Sequence, residues 1–118
     1  MTTILIIDDS QLARNMVSGM VRGARPDWFI VTAKNADDAL EKVNDIAPDV
    51  AIVDFNMPGM DGLNLSCELH QRFPELDISI LTANVQESTR RKVTEKGFRF
   101  LEKPITPDKM RELLALIA

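Results

Sequence analysis

The sequence predicts an α/β fold in which a parallel sheet carries helices on both faces. Two observations predict it. Five short apolar, β-branched runs alternate with five stretches of helical period, which implies βα units in series. Residues with turn and capping chemistry fall at the junctions between them. Parallel strands need a crossover between neighbours, usually a helix. Right-handed crossovers leave few topologies, of which the order 2-1-3-4-5 suits five strands.

The elements follow in order. The first strand is read at residues 3–7, through Ile4-Leu5-Ile6-Ile7. A helix follows at 10–22, where Leu12, Met16 and Met20 recur every four residues. The second strand spans 28–32, and the second helix 36–47, with Ala36, Leu40, Val43 and Ala47 on one stripe. Asn35 caps that helix, Asp38 sits in its first turn and Pro48 stops it. The third strand, 50–53, runs Val50-Ala51-Ile52-Val53 and stops at Asp54. The third helix, 63–73, carries Leu65, Leu69 and Phe73, and Pro74 follows it. The fourth strand, 77–82, ends at Thr82-Ala83. The next segment, 86–96, has Val93 as its only strongly apolar residue, so it reads as a lightly anchored helix that Gly97 ends. The fifth strand covers 98–101. Thr106-Pro107 then sets an N-cap and a first-turn proline for a helix at 107–117, built on Met110, Leu113, Leu114 and Ile117.

The 118 residues make one domain, 1–118, of ordinary globular composition: 45% apolar and 27% charged. The apolar ending Leu113-Leu114-Ala115-Leu116-Ile117-Ala118 predicts a chain trimmed from a longer protein after Ala118 as readily as a natural terminus. A net charge of -4 argues against direct binding to nucleic acid. No apolar stretch approaches the roughly 20 residues of a membrane span, and no signal peptide is visible. The single Cys67 has no partner for an internal disulfide and fits a reducing cytosol, so the expected location is cytoplasmic. Cys67 itself reads as a small core residue.

The chemistry concentrates at the ends of the strands. Asp8 and Asp9 end the first run, Asp54 the third, and Lys103 closes the fifth just before Pro104. In an open α/β sheet that edge is where ligands bind. One of Asp8 and Asp9 could simply cap the helix beginning near Ser10. With Asp54 on the adjacent strand, a shared divalent cation explains all three carboxylates better, because Mg²⁺ relieves their repulsion. A carboxylate there can also attack phosphorus and form an acyl phosphate. Asn56, two residues on, can offer its main-chain carbonyl as a neutral ligand. Lys103 differs from a solvated surface lysine because a cis bond to Pro104 would turn it back over the strand ends. At Thr82-Ala83 a hydroxyl can donate to a phosphoryl oxygen, with room left by the small alanine.

Asp8-Asp9, the segment Asp54-Phe55-Asn56-Met57-Pro58-Gly59-Met60-Asp61-Gly62, Thr82-Ala83 and Lys103-Pro104 stand in one order and spacing. In that pattern the chain resembles the receiver (CheY-like) domain of bacterial two-component response regulators, over essentially its whole length. The resemblance implies a flavodoxin-like (βα)5 three-layer sandwich. It implies that Asp54 is the phosphoacceptor, and that Asp8, Asp9, Asp54 and the Asn56 backbone carbonyl hold Mg²⁺. Lys103 would pair with the phosphoryl group, Thr82 would swing toward it, and Phe100 matches the switch aromatic. The chain has no tyrosine, which excludes a switch that needs a hydroxyl. The only tryptophan, Trp28, lies away from the site.

The function expected is a phosphorylation-switched signalling module rather than an enzyme. It would take its phosphoryl group from a sensor histidine kinase or histidine phosphotransfer protein and change its affinity for a downstream protein or effector domain. The alternative is a Mg²⁺-dependent phosphatase with an aspartyl-phosphate intermediate, but those enzymes place Asp-x-Asp after the first strand, where this chain has Asp8-Asp9-Ser10. Flavin binding would need a Ser/Thr/Gly-rich phosphate cradle in that same loop, which is lacking. Segment 86–96 carries Arg90, Arg91, Lys92 and Lys96. Its position between Thr82 and Phe100 points to a partner or dimer surface made from the fourth helix, fifth strand and fifth helix.

Overall fold

The computed structural model describes residues 1–117, and Ala118 lies outside the described residues. Strands β1 (Thr3–Ile7), β2 (Phe29–Ala33), β3 (Val50–Asp54), β4 (Asp77–Thr82) and β5 (Arg99–Glu102) form one sheet. Its order is β2-β1-β3-β4-β5 and every pairing is parallel. Helices α1 (Gln11–Ala24), α2 (Ala36–Lys42), α3 (Gly62–Arg72), α4 (Glu87–Glu95) and α5 (Pro107–Ile117) alternate with the strands. This is the flavodoxin-like architecture expected, with the expected strand order.

Strand alternation divides the core into two layers, because successive side chains point to opposite faces. Leu5, Ile7, Ala51, Val53, Ile78 and Ile80 meet Ala39 of α2, Leu65 and Leu69 of α3 and Val93 of α4. Ile4, Ile6, Val50, Ile52 and Leu81 meet Val17 and Val21 of α1 and Met110, Leu113 and Leu114 of α5. The inner strands are covered on both faces, which is why they read as unbroken apolar runs.

The expected caps are in place. Asn35 Oδ1 accepts from the Asp38 N–H at 2.8 Å, and Asp38 Oδ2 in turn accepts from the Lys34 N–H at 3.1 Å. Burial alone would raise the Asp38 pKa, but that hydrogen bond and the nearby Lys42 hold it below the ordinary value. Thr106 Oγ1 accepts from the Lys109 N–H at 3.2 Å. Gly97 follows α4 at φ 85°, a left-handed conformation that suits glycine.

Two expectations are corrected. Leu12 and Met16 do not line the core, being 69% and 53% exposed. The buried stripe of α1 runs through Val17 and Val21 instead. Helix α2 stops at Lys42 rather than reaching residue 47. Past it the chain tightens, with the Asn44 N–H on the Glu41 carbonyl and the Asp45 N–H on the Lys42 carbonyl, both at 3.2 Å. Asn and Asp favour such turns. Val43 is still buried, but Ala47 is exposed.

Candidate functional site

Main-chain hydrogen bonds carry the strand geometry past the strand ends. The Asp8 N–H donates to the Ala33 carbonyl at 3.1 Å, and the Lys103 N–H to the Thr82 carbonyl at 2.9 Å. Asp54 is the last residue of β3, level with Leu81 of β4. Alternation therefore places Asp8 in line with Ile4 and Ile6, Asp54 with Val50 and Ile52, and Lys103 with Leu101. The three side chains converge at the carboxyl edge of the sheet because they continue the same face of three strands.

The convergence is close. Asp8, Asp9 and Asp54 each offer a carboxylate oxygen within 4.8 Å of the others. Asp8 and Asp54 are 3% and 4% exposed, so neither charge is hydrated freely; Asp9 is exposed. Lys103 Nζ lies 2.9 Å from Asp54 Oδ1 and 3.4 Å from Asp8 Oδ2. The Lys103–Pro104 bond is cis.

Capping of α1 falls to Ser10, whose Oγ accepts from the Ala13 N–H at 3.2 Å. Asp8 Oδ1 accepts from the Ser10 N–H at 2.9 Å. The other Asp8 oxygen faces the cluster.

Electrostatics follow from burial and like charge. Burial is the main cause that raises the Asp54 pKa, and the charges of Asp8 and Asp9 add to it; the Lys103 hydrogen bond pulls the other way and does not win. For Lys103, burial opposes the charged form, but the hydrogen bond and charge of Asp54, then the charge of Asp8, outweigh it and raise its pKa above 10.5. Three carboxylates thus crowd one ammonium, which reaches only Asp54 and Asp8. An all-oxygen donor set with excess negative charge suits a hard divalent cation, so the residues present fit Mg²⁺.

The other expected residues lie nearby in different states. Thr82 ends β4 fully buried, and its Oγ1 accepts from the Asn84 N–H at 3.0 Å. Asn56 sits in the loop after β3, with an exposed side chain. Phe100 is half-buried on β5, opposite Ile80.

Two contributors escaped the sequence reading. Arg14 Nη1 donates to the Asp8 carbonyl at 2.7 Å and so pins the loop that presents the acids. Its signal was an arginine one turn into the helix after Asp-Asp-Ser. Gly62 begins α3 against the backbone of Asp54: a Cβ there would lie 2.1 Å from the Asp54 carbonyl oxygen. Its N–H donates to the Phe55 carbonyl at 2.9 Å. Its signal was the glycine that closes the Asp54–Gly62 segment.

Comparison with known proteins decides what this edge belongs to. The family model described as the response regulator receiver domain matches residues 4–115. This chain belongs to that family. A chemotaxis protein CheY of Listeria monocytogenes is 29% identical over 116 residues, which cover 97% of this chain and 96% of that protein. The sensor protein TorS of Escherichia coli is 34% identical over 116 residues, 95% of this chain but 12% of TorS. Among solved structures, the response regulator protein TrrA of Thermotoga maritima, in complex with Mg²⁺ and BeF, superposes with a TM-score of 0.85. It is 25% identical, and the match covers 100% of both chains. Receiver domains are two-component signalling modules, generally non-catalytic, and the acidic pocket Asp8/Asp9/Asp54 is the feature this receiver brings to that role. Among the described residues no helix is long and apolar enough to cross a membrane.

Proposed function

We propose that this receiver accepts a phosphoryl group on Asp54 from a phosphohistidine of a sensor kinase or phosphotransfer protein. The observation that carries the reading is a buried carboxylate at a strand end, facing two others and held 2.9 Å from a lysine. An Asp54 carboxylate oxygen attacks phosphorus, the phosphorus–nitrogen bond breaks, and the imidazole nitrogen keeps the electron pair. The product is an acyl phosphate. Asp8, Asp9, Asp54 and the Asn56 carbonyl would hold Mg²⁺, which supplies charge neutralisation for the incoming group.

The remaining steps belong to the chain itself. Lys103 gives up its Asp54 oxygen and pairs with the phosphoryl oxygens. Thr82 turns its hydroxyl from the Asn84 N–H to donate to the same group. Burial of Asp8 and Asp54 keeps competing water from the charges that hold the group. The output face is α4, β5 and α5, where Arg90, Arg91, Lys92 and Lys96 are exposed on an otherwise acidic protein. A downstream protein, an effector domain or a second copy would dock there.

Incubation with acetyl phosphate and Mg²⁺, followed by intact-mass spectrometry, tests the acceptor. A phosphoryl mass gain in wild type that is lost in Asp54→Ala is expected. An equal gain in Asp54→Ala would move the acceptor elsewhere.

A further inference from the structure

Phe100 and Thr82 are linked by the sheet. Ile80 pairs with Phe100 and Thr82 with Glu102, so Phe100 and Thr82 share a face as diagonal cross-strand neighbours, close enough for an aromatic ring to respond. Thr82 is fully buried, whereas Phe100 is half-buried at the margin of the core layer. Without a tyrosine hydroxyl, no hydrogen bond from the ring itself can hold it outward.

Something else does. The guanidinium of Arg90, on α4, lies over the Phe100 ring with its Cζ 4.5 Å from the centroid. That is well inside the range at which a cation is attracted to an aromatic face. Among the described residues no carboxylate forms an ion pair with Arg90, so the ring is its one charge-specific partner. Both groups line a groove with Leu101, Glu102, Ile105 and Lys109. The contact joins α4, anchored through Thr89 and Val93, to the strand beside Thr82.

We propose that Arg90 is a positioning residue for the switch: its stack on Phe100 holds that ring at the surface before phosphorylation. The inference rests on reading Asp54 as the acceptor and Phe100 as the aromatic that turns inward. Turning inward gives up the stack, so the stack biases the receiver toward its resting state. Removing it shifts the population toward the active state, and linkage requires tighter binding of anything that prefers that state. For a stack at an exposed site the expected effect is about two- to five-fold in affinity.

The sign separates this from simple electrostatics. Arg90→Ala deletes a positive charge, so charge alone predicts weaker binding of an anionic phosphoryl mimic. The stack predicts stronger binding. Beryllofluoride with Mg²⁺ is titrated into wild type, Arg90→Ala, Arg90→Lys and Phe100→Leu, and into the double variant of Arg90→Ala with Phe100→Leu. Folding is checked by circular dichroism.

Tighter binding by Arg90→Ala, partial return toward wild type in Arg90→Lys, and no effect of Arg90→Ala in the Phe100→Leu background are expected. The Phe100 ring resonances of metal-free Arg90→Ala should also move toward their beryllofluoride-bound positions. If wild type binds beryllofluoride but Arg90→Ala binds equally or more weakly, the Arg90 role is overturned and the acceptor reading stands. An Arg90→Ala effect that persists in the Phe100→Leu background overturns that role equally. If wild type does not bind beryllofluoride at all, the acceptor reading falls and the inference with it.

Discussion

Gly62→Ala should damage both stability and phosphorylation through one contact. A Cβ at this position would sit 2.1 Å from the Asp54 carbonyl oxygen and 2.8 Å from both the Asp54 carbonyl carbon and the Phe55 Cα. All three are main-chain atoms, so no side chain can rotate away. Reaching even 3.0 Å from the oxygen needs a movement of about 0.9 Å, the difference between 3.0 and 2.1. Overpacking of this kind costs about 1–3 kcal/mol, and the rigid neighbours place Gly62→Ala near the upper end. Unfolding entropy of about 2.1 cal/mol/K per residue gives about 0.25 kcal/mol/K for a chain of this length, or about 4 °C per kcal/mol. A fall in melting temperature of about 8–12 °C is expected.

The same movement displaces Asp54, the proposed acceptor, and a misplacement near 1 Å costs about a hundred-fold in rate. Gly19→Ala and Gly23→Ala are the controls. Both lie in α1 with nothing within 4 Å of the added Cβ, so each should gain up to about 1 kcal/mol of helix propensity. Thermal melts and acetyl phosphate labelling rates read both effects. A Gly62→Ala protein that melts within about 2 °C of wild type and labels at the wild-type rate would refute the close-approach argument.

Other outcomes follow from the charge cluster and from α4. Mg²⁺ should raise the melting temperature: at about ten times Kd, stabilisation by RT ln(1 + [L]/Kd) is about 1.4 kcal/mol, or about 6 °C. No rise at millimolar metal would count against the site. Asp54→Asn should remove that rise while leaving the metal-free protein as stable as wild type or more so, because the raised Asp54 pKa means that its ionised form opposes folding. The Lys103 pKa is raised, so its contribution is complete below 10.5 and disappears as pH climbs through its higher folded value; urea melts of wild type and Lys103→Met should converge only on that alkaline side. Val93, fully buried, is the main apolar anchor of α4. Val93→Ala removes two methyl groups, about 1.6 kcal/mol of burial before any cavity cost, and should speed amide exchange in α4 while β1 and β3 stay protected.

How much of this was legible in the sequence depended on the range of the interaction. Strand identity was legible because burial on both faces leaves an unbroken apolar run. Caps were legible because Asn35, Thr106 and Gly97 act within a few residues of themselves. The face of α1 was not. Its sequence holds two overlapping stripes, Leu12-Met16-Met20 and Ala13-Val17-Val21, displaced by about 100° around the helix. Periodicity alone cannot choose between them; packing on α5 and the sheet does, and it buries Val17 and Val21. At the site, Asp8, Asp54 and Lys103 were legible because each ends a strand. Arg14 and Gly62 were not, because neither a side chain folding back on a main-chain carbonyl six residues earlier nor the room left by a missing Cβ shows in residue type or periodicity.

The placement of rigidity supports the trigger role proposed for this edge. β1 and β3 are inner strands, hydrogen-bonded on both sides, and Ile4 to Ile7 are at most 1% exposed. Asp8 and Asp54 extend those strands, so they cannot separate to relieve their repulsion without breaking the sheet. Lys103 reaches two of the three acids, at 2.9 Å and 3.4 Å, and leaves the cluster with excess negative charge. The strands alone therefore cannot relax the site; a bound cation would, as would the phosphorylation proposed for Asp54. The opposite holds two strands further along, past β4. β5 is an edge strand of four residues, and α4 buries only Thr89 and Val93. Under the proposed function, a stiff acceptor at Asp54 would stand beside a loosely held helix, a change in charge there would move α4 and β5 before the core, and the Arg90–Phe100 stack lies across that boundary.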